Sequence, residues 1–164
     1  MLNFLSNNHC PIYTFLIFLH SWLRWVLLIL GLIVIIRSYI GWFGDKSYLK
    51  SDNTMSVVLV AIFHIQLILG RLLYFLYSPI VRSAFQDFGM AMKDSQLRYW
   101  AVEHIFIMIL SIIIAQVGRI RIKKVHSAVS KHRNAAIYFT LAFILILSRI
   151  PWDQGIRLFR GIAE

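Results

Sequence analysis

Four runs of apolar residues stand out along the chain, each close to the roughly 20 residues that a helix needs to cross about 30 Å of hydrocarbon. They cover residues 14–36, 55–77, 99–118 and 134–152, and the fourth is closed by Pro151, which cannot continue a helix comfortably. The connections are short and carry turn residues: Gly41, Gly44 and Asp45 in the first, Ser78, Pro79 and Gly89 in the second, and a basic stretch from Arg119 to Arg133 in the third. Short connections between long helices predict an antiparallel arrangement. The expected fold is all-α, an integral membrane four-helix bundle running up-down-up-down as one transmembrane domain over residues 1–164. Polar residues (Ser6 to Cys10) precede the first run and no small-residue cleavage site follows it, so it reads as a retained span and not as a signal peptide.

Composition agrees with lipid as the solvent. The chain is 59% hydrophobic and 15% charged, with a mean hydropathy of +0.71, against about 25% charged in an ordinary soluble domain. A single cysteine, Cys10, excludes an intrachain disulfide and a cysteine-based metal cluster.

The net charge of +10 would suggest nucleic acid on a soluble protein, but on a membrane protein it sets orientation. Arg37, Lys46 and Lys50 in the first connection, and Arg119, Arg121, Lys123, Lys124, Lys131 and Arg133 in the third, mark one side. The other side carries Arg82, Lys93 and Arg98, with Arg149, Arg157 and Arg160 near the C-terminus. The first and third connections are therefore expected in the cytoplasm and both termini outside it, in a bacterial inner membrane. The basic loop reads as a topology signal in contact with anionic headgroups, and no nucleic-acid role is expected.

Function should lie with the groups that are costly in hydrocarbon, because ionisable residues in spans face the interior and are functional candidates by default. These are His20 and Arg24 in the first run, His64 and Arg71 in the second, and Glu103 and His104 in the third, with Arg149 at the end of the fourth. At 1.5 Å per residue, His20 and His104 lie at matching depths, about 9 and 8 Å from the non-cytoplasmic face. Two imidazoles at one level on diagonal helices are what a bis-histidine haem requires, since cofactor sites in bundles are built from side chains on facing helices. On this reading His20 and His104 are the axial ligands. Arg24, Arg71 and Arg149 neutralise the propionates, and the small residues Gly31, Ser111, Ala115 and Gly118 leave room for a flat ring. The same histidines also read as interhelical hydrogen-bonding groups or as ligands of another metal, although two are too few for a closed zinc site.

His64 stays open between a second haem ligand, a proton-relay or quinone contact, and a structural partner of Gln66. His132 is its diagonal counterpart for a second haem, but their depths differ by about 10 Å, so one haem is favoured over two; the bland reading leaves His132 and His126 solvated in the basic loop. Glu103 lies about 100° around the helix from His104, which leaves it open between pairing with Arg149, facing a neighbouring subunit and proton uptake for a quinone. No hydrolase or transferase constellation is visible.

The motif His20-Ser21-Trp22-Leu23-Arg24-Trp25, a His in the second run followed by Gly70-Arg71-Leu72-Leu73-Tyr74, Glu103-His104 early in the third, Lys131-His132-Arg133 before the fourth and the terminal Ile150-Pro151-Trp152 together resemble the small four-span membrane proteins labelled cytochrome b. In broader outline the chain is similar to haem-bearing four-helix units such as those of haem A synthase. The resemblance implies haem b, electron transfer, a quinone as redox partner, and membership of a larger respiratory complex through partner membrane subunits or a homo-oligomer. The main rival is a haem-free accessory or scaffold subunit whose buried histidines and arginines are interhelical glue. A small ion or metal transporter ranks lowest, because few polar residues line the cytoplasmic half.

Overall fold

The structure, a computed structural model, describes residues 11–152. His9, Cys10, Arg157 and Arg160 lie outside the described residues. Among the described residues every regular element is helical, with no strand. Helix α1 spans Pro11–Phe43 and α2 spans Lys50–Leu72, running on through a π-helical turn at Leu73–Tyr77. Three short helices follow: α3 (Pro79–Gln86), α4 (Phe88–Lys93) and α5 (Ser95–Arg98). A second π-helical turn, Tyr99–Glu103, leads into α6 (His104–Lys124), and α7 spans Ala128–Ser148.

Local chemistry explains these boundaries. Ser78 opens α3 by accepting a hydrogen bond from the Val81 N–H at 3.2 Å, with Pro79 in the first position, where its missing N–H is harmless. Asp87 and Asp94 cap α4 and α5 in the same way, through the Met90 and Leu97 N–H groups. Asp52 folds back on the Leu49 N–H at 2.9 Å to fix the start of α2. The turn between α1 and α2 places Asp45 at φ 46°, a left-handed conformation that aspartate tolerates better than most residues.

Three helices are long and apolar enough to cross a membrane: Pro11–Phe43, Lys50–Tyr77 and Ser95–Lys124. Their outward faces are apolar, with Ile29, Ile36, Ile68 and Ile113 among the exposed side chains, compatible with an integral membrane protein. The expected fourth run differs in its bounds. Its helix begins earlier, at Ala128, and ends at Ser148, so Lys131, His132, Arg133 and Asn134 fall inside it. The apolar stretch left, from Ala135 to Leu147, is about 20 Å long, less than the thickness of the hydrocarbon.

Helix α1 packs on α2 and α7, and α6 packs on the same two neighbours, which leaves α1 and α6 facing one another across the core. The core runs through Leu27, Leu59, Phe63, Ile122, Phe139 and Ile146. Glycines bring α7 close to its neighbours, and this differs from the expectation that the small residues make room for a ring. A Cβ on Gly118 would lie 2.4 Å from Tyr138 Cβ, one on Gly31 would lie 3.1 Å from the Phe143 ring, and one on Gly41 would lie 2.4 Å from the His132 ring. Ala115 is likewise sealed in the core.

Substituting Gly41→Ala or Gly118→Ala should therefore overpack a closed contact and destabilise the protein by about 1–3 kcal/mol. The midpoint of denaturant unfolding in detergent measures this, and Gly89→Ala, where a Cβ meets an ordinary contact at 3.6 Å, is the control.

Candidate functional site

At the end of the structure away from these glycines the helices line a partly open cavity of about 430 Å³, within the range of small-molecule and cofactor sites. Its walls come from α1, α2, α6, the end of α7 and the first turn of α3, and are mostly apolar: Leu27, Phe63, Leu67, Met108, Ile112 and Ile146. Into it open His20 and Arg24 from α1, Gln66 and Arg71 from α2, His104 from α6, and Arg149 beyond the end of α7. Sequence spacing thus brings His20, His104, Arg24, Arg71 and Arg149 to one place. Among the described residues no carboxylate lines the cavity.

Each imidazole is held differently. His104 Nδ1 lies 3.1 Å from the Arg149 carbonyl oxygen. A carbonyl only accepts, so Nδ1 carries the proton and Nε2 keeps its lone pair. The same carbonyl accepts the Tyr99 hydroxyl at 2.8 Å. His20 packs on Gly70, where a Cβ would stand 3.4 Å from its Cε1. Its Nδ1 is buried and has no hydrogen-bond partner in the protein. Gln66 Nε2 donates to the His20 carbonyl at 2.8 Å, tying α2 to α1 at this level, and Gln66 Oε1 is left buried without a partner. The Arg24 guanidinium sits over the Trp25 ring, 5.6 Å from its centroid.

Glu103 is not among the residues that line the cavity. It accepts from Arg98 Nε at 2.8 Å and pairs with Arg149 Nη1 at 3.2 Å, the second being one of the readings its position left open. The two π-helical turns flank the site and are joined by Tyr74 Oη donating to the Ala101 carbonyl at 2.5 Å. Such single turns inside α-helices are frequent at functional sites.

His64 and His132 are not brought together. His64 is exposed on the outside of α2, its Nδ1 bonded to the Val60 carbonyl of the preceding turn at 2.8 Å. It shares a stripe with Arg71, but the stripe lies at the edge of the cavity. Arg71 is long enough to reach in, whereas at the level of His64 the wall is made by Phe63 and Leu67. The expected His64–Gln66 pairing is also absent, since Gln66 bonds to α1. His132 is 2% exposed, so it is not solvated; its ring lies against Gly41 and edge-on to Tyr48, with Nε2 3.4 Å from the Ser47 carbonyl. His126 is exposed.

Sequence reasoning missed a second polar centre, at the α1–α2 connection. Arg119, counted among the loop cations, is 7% exposed and donates to Asn53 Oδ1 at 2.7 Å and Ser56 Oγ at 3.2 Å. Arg37 forms a salt bridge with Asp52 at 2.8 Å beside it. Burial pushes the Tyr48 phenol above its ordinary pKa, so its hydroxyl, 3.5 Å from Ser56 Oγ, stays protonated. The signal available was the spacing of Asn53 and Ser56, one helical turn apart on a face that must meet another helix.

Among the described residues no three His, Cys, Asp or Glu side chains converge to hold a metal ion. The chain matches no family model, no curated protein and no solved structure. The cavity must therefore be read from its own chemistry.

Losing the link between the two π-helical turns should be measurable. Tyr74→Phe should lower stability by about 1 kcal/mol, the net worth of one hydrogen bond. Unfolding midpoints of the variant and parent in the same detergent give the difference.

Proposed function

We propose that the protein is a b-type membrane cytochrome, a four-helix up-down-up-down unit that passes electrons through a haem held by His20 and His104. One observation carries this reading: two imidazoles from the facing helices α1 and α6 open into one apolar-walled cavity that three arginines, and no carboxylate among the described residues, also line. The donor set suits the group. His104 is oriented through Nδ1 by a backbone carbonyl, the usual support for a metal-bound imidazole, and His20 has a buried Nδ1 that the protein leaves unbonded. Arg24, Arg71 and Arg149 supply the positive charge that two propionates need. Haem, if bound between His20 and His104, would supply one-electron exchange.

The chain's own residues then have separate tasks. His20 and His104 hold the ring, the arginines hold its charged edge, and the apolar walls exclude water. Glu103 keeps Arg149 in place from outside the cavity. Electrons pass to or from a quinone or a partner redox protein within a larger respiratory complex. The basic residues at the α1–α2 and α6–α7 connections support a cytoplasmic placement for both, with the termini on the opposite side of a bacterial inner membrane.

A second reading is supported by the same contacts. The His104–Arg149 and Gln66–His20 bonds join helix to helix, as they would in a haem-free scaffold subunit.

The reduced-minus-oxidised visible spectrum of detergent-purified protein from haem-replete cells decides between them. The expected result is a b-type α-band, lost in His20→Ala and in His104→Ala and retained in His64→Ala, with one haem per chain by pyridine haemochrome. Folded protein without absorbance sinks the cytochrome and leaves the scaffold. Loss of the band in His64→Ala would revive a second site.

A further inference from the structure

The segment between α2 and α6 carries apolar side chains that the rest of the chain does not cover. Phe85 in α3 and Phe88 and Met90 in α4 are 59%, 49% and 62% exposed. Short polar connections do not ordinarily present large apolar groups together, and a contiguous exposed apolar patch marks an interaction surface. The patch is ordered by its own contacts. Phe85 and Phe88 stack with centroids 6.3 Å apart, and Phe85 meets Tyr74 edge-on at 6.4 Å.

The opposite side of the same helices is closed. Val81, Ala84 and Ala91 are buried, and Ala84 and Ala91 pack with Ala101 of the turn before α6. The segment is therefore seated on the ends of the two long helices and does not stand off from them. Both α3 and α4 have small or branched residues inward and rings outward.

We infer that α3 and α4 lie in the interfacial layer of the bilayer, with Phe85, Phe88 and Met90 inserted at the boundary between headgroups and acyl chains. Continuity with the lipid-facing surface of α2 favours lipid over a protein as the occupant. Phe75 and Leu76, in the last turn of the Lys50–Tyr77 span, are exposed and apolar. Tyr74, in edge contact with both Phe75 and Phe85, joins them to the patch. The chain enters α3 directly after that span, at Ser78 and Pro79, so no linker lifts the segment into water. The exposed charges of the segment are of both signs, Arg82 and Lys93 with Asp87 and Asp94, as the zwitterionic headgroup layer accommodates. The first turn of α3, Ser78 to Val81, lines the cavity. Lipid contact at Phe85 thus fixes the far end of the helix that closes the cavity.

The inference rests on the membrane reading of the long helices and not on the haem. Site-directed spin labelling tests it. Cys10, the single cysteine, is replaced in a Cys10→Ser background, and Phe85→Cys, Phe88→Cys and Lys93→Cys are labelled separately and placed in phospholipid nanodiscs. Collision with oxygen, which concentrates in lipid, is compared with collision with a water-soluble nickel chelate. The expected ratio of oxygen to nickel accessibility is several-fold higher at positions 85 and 88 than at 93. Nickel accessibility at 85 and 88 equal to that at 93 overturns the inference and makes the patch a water-exposed docking face. Exclusion of both reagents overturns it in favour of a second protein chain. A cysteine at an exposed position removes no core packing, and the three labels report independently of whether the sample is coloured.

Discussion

The close approach of α7 to α1 and α6 is the constraint on which the rest of the structure depends. Three glycines permit it, at Gly41, Gly31 and Gly118, each filled by a large side chain of α7. Beyond Phe143 toward the C-terminal end of α7, Ile146 lines the cavity together with Met108 and Trp100. The glycine contacts of α7 and the cavity thus occupy different levels of the same helices.

Polar groups occur at both levels. At the packed end Arg119 bonds to Asn53 and Ser56 and Arg37 to Asp52, while His132 Nδ1 is buried without a partner. At the other end His20 Nδ1 and Gln66 Oε1 are buried without a protein partner. Buried polar atoms in native structures nearly always have partners. His20 and Gln66 both lie on the walls of the cavity.

Much of this was legible in the sequence. Of the four apolar runs expected to cross, three fall in helices long and apolar enough to do so, because length and composition alone determine that signal. The convergence of His20, His104, Arg24, Arg71 and Arg149 followed from depth and helical angle, two quantities that spacing fixes. Less legible were features that depend on which face meets which neighbour. Gly31 and Gly118 looked like room for a ring and are contact points with Phe143 and Tyr138. Arg119 looked like a loop cation because it follows the last apolar residues, yet the helix continues past it to Lys124 and turns it inward. His64 and Arg71 share a stripe, and only side-chain length decides which of them enters the cavity.

The bond that orients His104 is made to a main-chain oxygen, and this sets what kind of sequence change can disturb it. Every residue type offers the same carbonyl at position 149, so the acceptor for His104 and Tyr99 survives any side chain placed there. Both lone pairs of that oxygen are in use, leaving no vacancy for a competing donor. The imidazole's direction is thus encoded in the path of the backbone past the end of α7, and drift at position 149 can alter charge around the cavity while leaving that direction intact.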